Sequence, residues 1–392
     1  MSMRRMIYGW IWLACLAAVP AKAQTERPEV PCWVDILAYS QREQGDMSTV
    51  QMLFAGDIMQ HEAQLTAART DSGTYDYTDC FRYVAQGVRS ADVAIANLEV
   101  PLGVKPYSGY PRFCAPPAFA QAVRDAGFDI LTTANNHSLD RYKKGVRRTV
   151  DILDSLGVRH TGVFADTASR AERYPLIFEE KGIRFALLNY TYGTNGIPHY
   201  PPTFVNVIDT AVIRRDIRAA QKRLPDVIIA CMHWGIEYEM TPESSQRDCA
   251  RFLLENGVDV VIGGHPHVVQ PMEAHTDSTG RVKQVLVYSL GNYVSNQRTI
   301  DTQGGATFSL SFRRDSTGVH IGDCSYGLVW VWKPVRDGKQ SFFPIPVREA
   351  ERPGSFPLSE AERERMDAFA KNARTFLDRQ NINVKENTYE PQ

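Results

Sequence analysis

No stretch of the 392-residue chain approaches the ~20 continuous apolar residues that a bilayer-spanning helix needs. Its seven cysteines are widely spaced and include no Cys-x-x-Cys pair, which argues against a structural zinc cluster or a disulfide-stapled scaffold. With 44 Lys+Arg against 45 Asp+Glu, the chain has no excess charge of one sign, and nucleic acid is not an expected partner. Internal repeats and low-complexity tracts are also missing. At 43% hydrophobic and 23% charged residues, the composition excludes collagen, intrinsic disorder and a coiled coil.

The first residues are the earliest informative ones. Arg4 and Arg5 precede the short apolar run Ile7 to Val19, and Ala21-Lys22-Ala23 places small residues at −3 and −1 of a cut before Gln24. This pattern predicts a secretory signal peptide over residues 1–23 and an exported protein, periplasmic, secreted or at the cell surface. A lipid anchor at Cys15 is disfavoured, because Trp12 stands where a lipoprotein box has a small aliphatic residue. Cleavage would remove three basic residues, leaving 41 basic against 45 acidic ones and a mildly acidic mature protein.

Residues 24–48 read as a polar lead-in with a helix from Val34 to Glu43. Residues 49–350 read as one large domain, and 351–392 as a C-terminal helix and charged tail expected to fray beyond Arg379. Within the large domain, short apolar runs (Val50 to Ala55, Val93 to Ala96, Ile130 to Ala134, Phe185 to Tyr190, Val227 to Met232, Val258 to Ile262, Val285 to Leu290) alternate with amphipathic helical patterns. That alternation predicts a layered α/β fold. Beyond Asn292, the runs Ala306 to Phe312, Val319 to Ser325 and Leu328 to Lys333 predict antiparallel strands completing a sheet. Ser359 with Glu362 three residues on forms a capping box opening a terminal helix to Leu377.

Metal-competent side chains collect where five of the apolar runs end: Asp57 and His61 after the first, then Asn97 and Glu99, then Asn136, His137 and Asp140, then His233 and Glu237, and finally His265 and His267. In open α/β sheets the carboxyl ends of strands open onto the ligand crevice, so these five ends are expected to converge. Residues two apart in an extended segment share a face, which pairs Asn97 with Glu99 and His265 with His267. Carboxylate, imidazole and amide oxygen without thiolate suit Mn, Fe, Zn or Mg. Taken singly, each element has an ordinary explanation, such as a turn for Gly56-Asp57 or a helix cap for Asn135-Asn136-His137.

The ordered set Gly56-Asp57, Asn97-Leu98-Glu99, Asn135-Asn136-His137 with Asp140, His233-Trp234-Gly235 with Glu237, Gly264-His265-Pro266-His267 and Ser289-Leu290-Gly291-Asn292-Tyr293 resembles the CapA family of poly-γ-glutamate capsule biosynthesis proteins. That family belongs to the calcineurin-like metallophosphoesterase superfamily. The resemblance runs from about Gln51 to Asn296 and implies a four-layer α/β/β/α sandwich holding two divalent metal ions. By the same resemblance, Asp57 and His267 would bind one metal, Asn136, His233 and His265 the other, and Glu99 would bridge them. His137 would be the general acid or an electrostatic stabiliser. Asp140 either orients its ring or caps the following helix. The loops Phe113 to Pro117 and Tyr190 to Gly196, with Tyr192 and Asn195, are expected at the rim. Arg112, Glu237 and Asn292 are further candidates for contact with substrate.

Two positions depart from the superfamily pattern. The first motif, Asp-x-His, here has Met59 two residues after Asp57, with His61 two further on as a replacement ligand or a substrate contact. The bridging Gly-Asp is replaced by Asn97-Leu98-Glu99, leaving Asn97 as a metal or substrate contact or as an orienter. Three function classes follow: a metal-dependent hydrolase of a phosphoester or related bond, a non-catalytic accessory that binds an anionic polymer within envelope polymer-synthesis machinery, and a structural envelope protein.

Overall fold

The computed structural model describes residues 48–336 and 338–387; the expected export signal and the helix from Val34 to Glu43 lie outside them. The chain first builds half of one sheet: β1 (Ser48–Ile58), β2 (Val93–Leu98), β3 (Ile130–Thr132) and β4 (Arg159–Thr161). Helices α1 (Glu62–Ala68), α2 (Ala85–Arg89), α3 (Pro117–Ala126) and α4 (Tyr142–Ser155) connect them. It then lays down a second sheet from β5 (Leu176–Glu180), β6 (Ile183–Thr191), β7 (Val227–His233), β8 (Val260–Gly264), β9 (Met272–Thr276) and β10 (Val282–Val287). Helices α5 (Thr167–Arg173), α6 (Thr210–Lys222) and α7 (Ser244–Glu255) belong to this half. Finally it returns to the first sheet with β11 (Asn292–Val294), β12 (Gly304–Asp315), β13 (Gly318–Trp332) and β14 (Phe343–Pro346), followed by α8 (Val347–Ala350), α9 (Glu360–Gln380) and β15 (Lys385–Glu386).

The first sheet runs in the order β14-β13-β12-β1-β2-β3-β4, with β11 beside β1 and β15 beside β13; the second runs β9-β10-β8-β7-β6-β5. β1 to β4 are mutually parallel, as are β6, β7, β8 and β10, so within each sheet the carboxyl ends of these strands face one way. β12, β13 and β14 add on antiparallel, the predicted hairpin extension. The runs Val319 to Ser325 and Leu328 to Lys333, expected as two strands, form one long strand, β13, in which Gly327 stays in register opposite Thr307.

The period-two alternation of the strands sorts side chains into layers. Met52 and Phe54 of β1, Phe185 and Leu187 of β6, Ile229 of β7 and Leu310 of β12 meet in one buried cluster between the sheets. The opposite face of the first sheet, with Ala94, Ala96 and Leu98, packs on Phe119 and Val123 of α3 and Leu153 of α4. The outer face of the second, with Ala186, Leu188 and Ala230, packs on Ile213 and Ile217 of α6 and Leu253 of α7. The result is the α/β/β/α sandwich. Burying each such large side chain contributes roughly 1.5–3 kcal/mol, and both inner faces are apolar because neither meets water.

Helix α9 inserts Met366, Phe369, Ala373 and Leu377 into the cluster between the sheets. The tail does not fray directly after it. Ile382 N–H donates to Met272 O at 3.0 Å, Lys385 pairs opposite Ser325, and Glu386 accepts from Arg374 at 2.7 Å. Backbone pairing and this charge pair hold residues 381–387 against the sheet.

Candidate metal centre

The two sheets point their parallel strand ends at one another, and the polar side chains there are buried together. Asp57 is the last residue but one of β1, Glu99 follows β2, Asn136 and His137 follow β3, His233 ends β7, and His265 and His267 follow β8; all are less than 5% exposed. Asn97 Nδ2 donates to Asp57 Oδ1 at 2.8 Å and lies 3.5 Å from Glu99 Oε2, so the pair shares a face while Leu98 turns into the apolar layer. Asn97 therefore orients Asp57. The period-two argument does not describe His265 and His267, since β8 ends at Gly264 and both histidines have positive φ, 99° and 60°. A non-glycine residue pays about 1–3 kcal/mol for such backbone, a cost found where a site over-determines the conformation.

Two glycines allow the approach. A Cβ on Gly264 would lie 2.8 Å from Asp57 Oδ1, and one on Gly56 would lie 2.0 Å from Gly291 O. Around Asp57, Asn97, His233 and Gly264 a small cavity of about 30 Å³ remains, room for one water or ion.

The donor atoms face one another. His233 Nε2 lies 2.9 Å from Asn136 Oδ1 and 3.6 Å from Glu99 Oε1. His267 directs Nδ1 at Asp57 Oδ2 (3.3 Å) and Asn292 Oδ1 (3.1 Å), which leaves Nε2, 3.9 Å from Glu99 Oε1, for another partner. Among the described residues, two groups could hold a metal ion: Glu99 with His265 and His267, and Asp57 with Glu99 and His233; Glu99 is common to both. Two buried donor atoms of the set, Glu99 Oε1 and His265 Nδ1, have no hydrogen-bond partner. An unsatisfied buried polar atom costs about 1–3 kcal/mol, which a cation would offset. The residues present fit divalent metal.

Burial would raise the Asp57 carboxyl, but the His267 bond, the neighbouring histidine charges and Asn97 hold it well below the usual carboxylate range. His265 is held neutral by burial and by the His233 and His267 charges, its pKa lowered to about 2. Burial opposes charge on His267 as well, yet the Glu99 and Asp57 carboxylates lift it to about 9. Cys231 lines the small cavity, but burial pushes its thiol up to about 12, so thiolate is not in the donor set.

His137 Nδ1 donates to Asp140 Oδ2 at 2.8 Å, and the same oxygen accepts from Phe113 N–H at 2.7 Å. Asp140 is thus the orienter of His137 and not a cap; the N-cap of α4 is Arg141. Met59 is 2% exposed and packs in the apolar layer with Val294, so its side chain is turned away from the centre. His61 caps α1, where Asn296 N–H donates to its Nδ1 at 3.2 Å, and burial lowers its pKa to about 4. It belongs to neither metal-competent group.

The other candidates fall in different places. Tyr192 stands at the mouth with its ring 4.5 Å from that of His265, and Asn195 receives Asn136 Nδ2 at 3.4 Å. Tyr190, in contrast, is core, as is Trp234, whose Nε1 donates to Tyr288 O. Asn292 supports His267, and Glu237 is partly exposed beside it. Arg112 is exposed and lies over the Tyr142 ring. Phe113 is a wall residue rather than a rim residue: it is fully buried and sets its ring edge-on to His137 at 4.6 Å and to His61 at 5.2 Å. No spacing rule marks it, since its partners come from two other loops.

The α/β/β/α sandwich thus gathers buried carboxylate, imidazole and amide donors at its strand ends, a donor set that fits a divalent-metal centre. Residues 51–297 match the family model described as bacterial capsule synthesis protein PGA_cap. The chain belongs to that family. It is 26% identical over 282 residues to the PGA biosynthesis protein CapA of Bacillus subtilis, covering 68% of each chain. It is also 26% identical over 287 residues to the capsule biosynthesis protein CapA of Bacillus anthracis, covering 68% of this chain and 65% of that one. The chain therefore spans about two thirds of the length of these relatives. Among solved structures, a phosphatase from Mycoplasma pneumoniae superposes with a TM-score of 0.41 at 14% identity, over 73% of this chain and 95% of that one.

Proposed function

We propose that the chain is an exported metal-dependent hydrolase of capsule or poly-γ-glutamate biosynthesis, cleaving a phosphoester or related bond at a centre of two divalent ions. The observation that carries this reading is the pair of unpartnered buried donors, Glu99 Oε1 and His265 Nδ1, within a closed set of carboxylates and imidazoles. Asp57, Asn136, His233, His265 and His267 would hold the ions with Glu99 between them. Bound divalent ions supply Lewis-acid polarisation of the scissile group and a nucleophilic water at neutral pH.

The remaining roles belong to side chains. Asp140 fixes the Nδ1–H tautomer of His137, which leaves Nε2 to carry or release the proton that a leaving oxygen requires. Phe113 closes one side of that imidazole and excludes water from it. Asn97 holds Asp57, and Asn292 holds His267. Anionic polymer and the envelope synthesis machinery are the proposed partners.

The test is elemental analysis of the purified protein beside Asp57→Ala and His265→Ala, with activity on bis-p-nitrophenyl phosphate. Stoichiometric metal lost in both variants, with activity lost in His137→Ala while metal is kept, is the expected result. Well-folded protein that binds no metal overturns the reading. The inward turn of Met59, which leaves one ligand position of the superfamily unfilled, supports the second reading, a non-catalytic polymer-binding accessory using the same cleft.

A further inference from the structure

Strand β6 is buried along its whole length, yet it carries an amide, Asn189, which lines the same small cavity as Asp57 and His233. A buried amide persists where it is hydrogen-bonded, and its partners show what it joins. Asn189 Oδ1 accepts from the backbone N–H groups of Thr133 at 3.1 Å and Ala134 at 2.8 Å, and its Nδ2 donates to Cys231 O at 3.1 Å. Thr133 and Ala134 leave β3 of the first sheet, whereas Cys231 lies on β7 of the second. One side chain thus ties the two sheets together at the centre.

The bonded positions lead directly into donor residues. Asn136 stands two residues after Ala134 and His233 two after Cys231, and His233 Nε2 meets Asn136 Oδ1 at 2.9 Å. The turn carrying Asn136 moves as a block, because Ser138 Oγ donates to Thr133 O at 2.7 Å and Asn135 Nδ2 to Leu98 O at 2.8 Å. Shifting Ala134 therefore shifts Asn136. Room for the amide comes from Gly162, just past β4, where a Cβ would lie 2.0 Å from Asn189 Oδ1 and 2.4 Å from Ala134 N. The loop after β6 extends the same hold: Tyr192 N–H donates to His233 O at 2.9 Å, and Asn195 Oδ1 accepts from Asn136 Nδ2 at 3.4 Å.

We infer that Asn189 is a positioning residue of the metal centre, its amide setting the spacing of Asn136 and His233 across the two sheets. This rests on the two-ion reading above, in which Asn136, His233 and His265 hold one ion and Asp57 and His267 the other. The effect is selective. Among the described residues the Asn189 side chain bonds to β7 and to the turn after β3, and not to β1, which carries Asp57, or to the turn carrying His267.

The test compares the full protein with Asn189→Ala and with Asp259→Ala, which removes a side-chain bond to Ile228 N–H at the opposite end of β7 and controls for lost stability alone. In a calorimetric Mn²⁺ titration, Asn189→Ala should weaken one ion by about 10–100-fold, the usual effect of losing a group that orients a ligand, and leave the other within about threefold. Asp259→Ala should weaken neither. Equal weakening of both ions, weakening of neither, or the same selective loss in Asp259→Ala overturns the inference. Asn189→Ser, whose hydroxyl is too short to span both sheets, gives the same comparison should the alanine variant not fold. Imidazole ¹⁵N shifts of the metal-free proteins supply a second readout: the His233 signals should move in Asn189→Ala and stay in place in Asp259→Ala, and unmoved His233 signals in Asn189→Ala overturn the inference. A wild type that binds no Mn²⁺ yet shows these shifts would sink the hydrolase reading while leaving the hold of Asn189 on His233 in place.

Discussion

In the metal-free protein, His267 holds a proton that any metal must displace. Its imidazole is fully buried, which alone would favour neutrality, but Glu99 and Asp57 raise its pKa from 6.5 to about 9. The sign follows from the shift: the imidazolium is present below pH 9, and the neutral ligand form dominates only above it. At pH 7, removing that proton costs two pH units, about 2.7 kcal/mol at 1.36 kcal/mol per unit. Apparent metal affinity should therefore rise about tenfold per pH unit from 7 to 9 and flatten above, a total of roughly 100-fold. His265, already neutral, adds no such slope. Calorimetric titration of Mn²⁺ into metal-free protein at pH 7, in phosphate and in Tris, reads the proton directly as a difference in observed enthalpy. About one proton more should be released by the wild type than by His267→Gln, which keeps a neutral oxygen donor. An equal release from both proteins, or an affinity flat between pH 7 and 9, would refute the reasoning.

Further outcomes follow from the same geometry. Asp140→Asn should lower kcat on an aryl phosphodiester by about 10–100-fold with metal content intact, since the orienting carboxylate is lost; His137→Ala should lose about 10²–10⁴-fold. Met59→His should not add a metal ligand, because that side chain lies in the apolar layer. It should instead lower stability by about 1–3 kcal/mol through an unpaired buried imidazole; tighter metal binding in that variant would contradict the placement. Gly56→Ala should lower the urea midpoint by an amount equivalent to about 1–3 kcal/mol, because its Cβ would lie 2.0 Å from Gly291 O and push apart the strand ends that set Asp57. A midpoint unchanged from wild type would count against that close approach.

Much of the architecture is written in local pattern. Alternating apolar runs and amphipathic helices define the layers because a strand's period of two and a helix's 3.6 are properties of the backbone itself. The ligand types were legible too, since only a few side chains have the chemistry and they sit where strands end. The capping box at Ser359 and Glu362 also forms as the local sequence dictates. What failed was local reasoning carried past a strand end. His265 and His267 share the centre through left-handed backbone rather than through alternation. Met59, already marked by its chemistry as a poor ligand, lies in the apolar layer.

The sequence by itself determined the element types, the layered class and the donor inventory, because each depends on residues near one another in the chain. Tertiary structure decided which donors meet and what they become. Asp57 and His265 are 208 positions apart, yet His265 N–H donates to the Asp57 carboxylate at 3.2 Å. The raised pKa of His267 exists only once the two sheets face each other, and the edge-on closure of His137 by Phe113 only once two loops of the first sheet meet. Electrostatic coupling and ring contact depend on distance in space, which spacing along the chain does not encode.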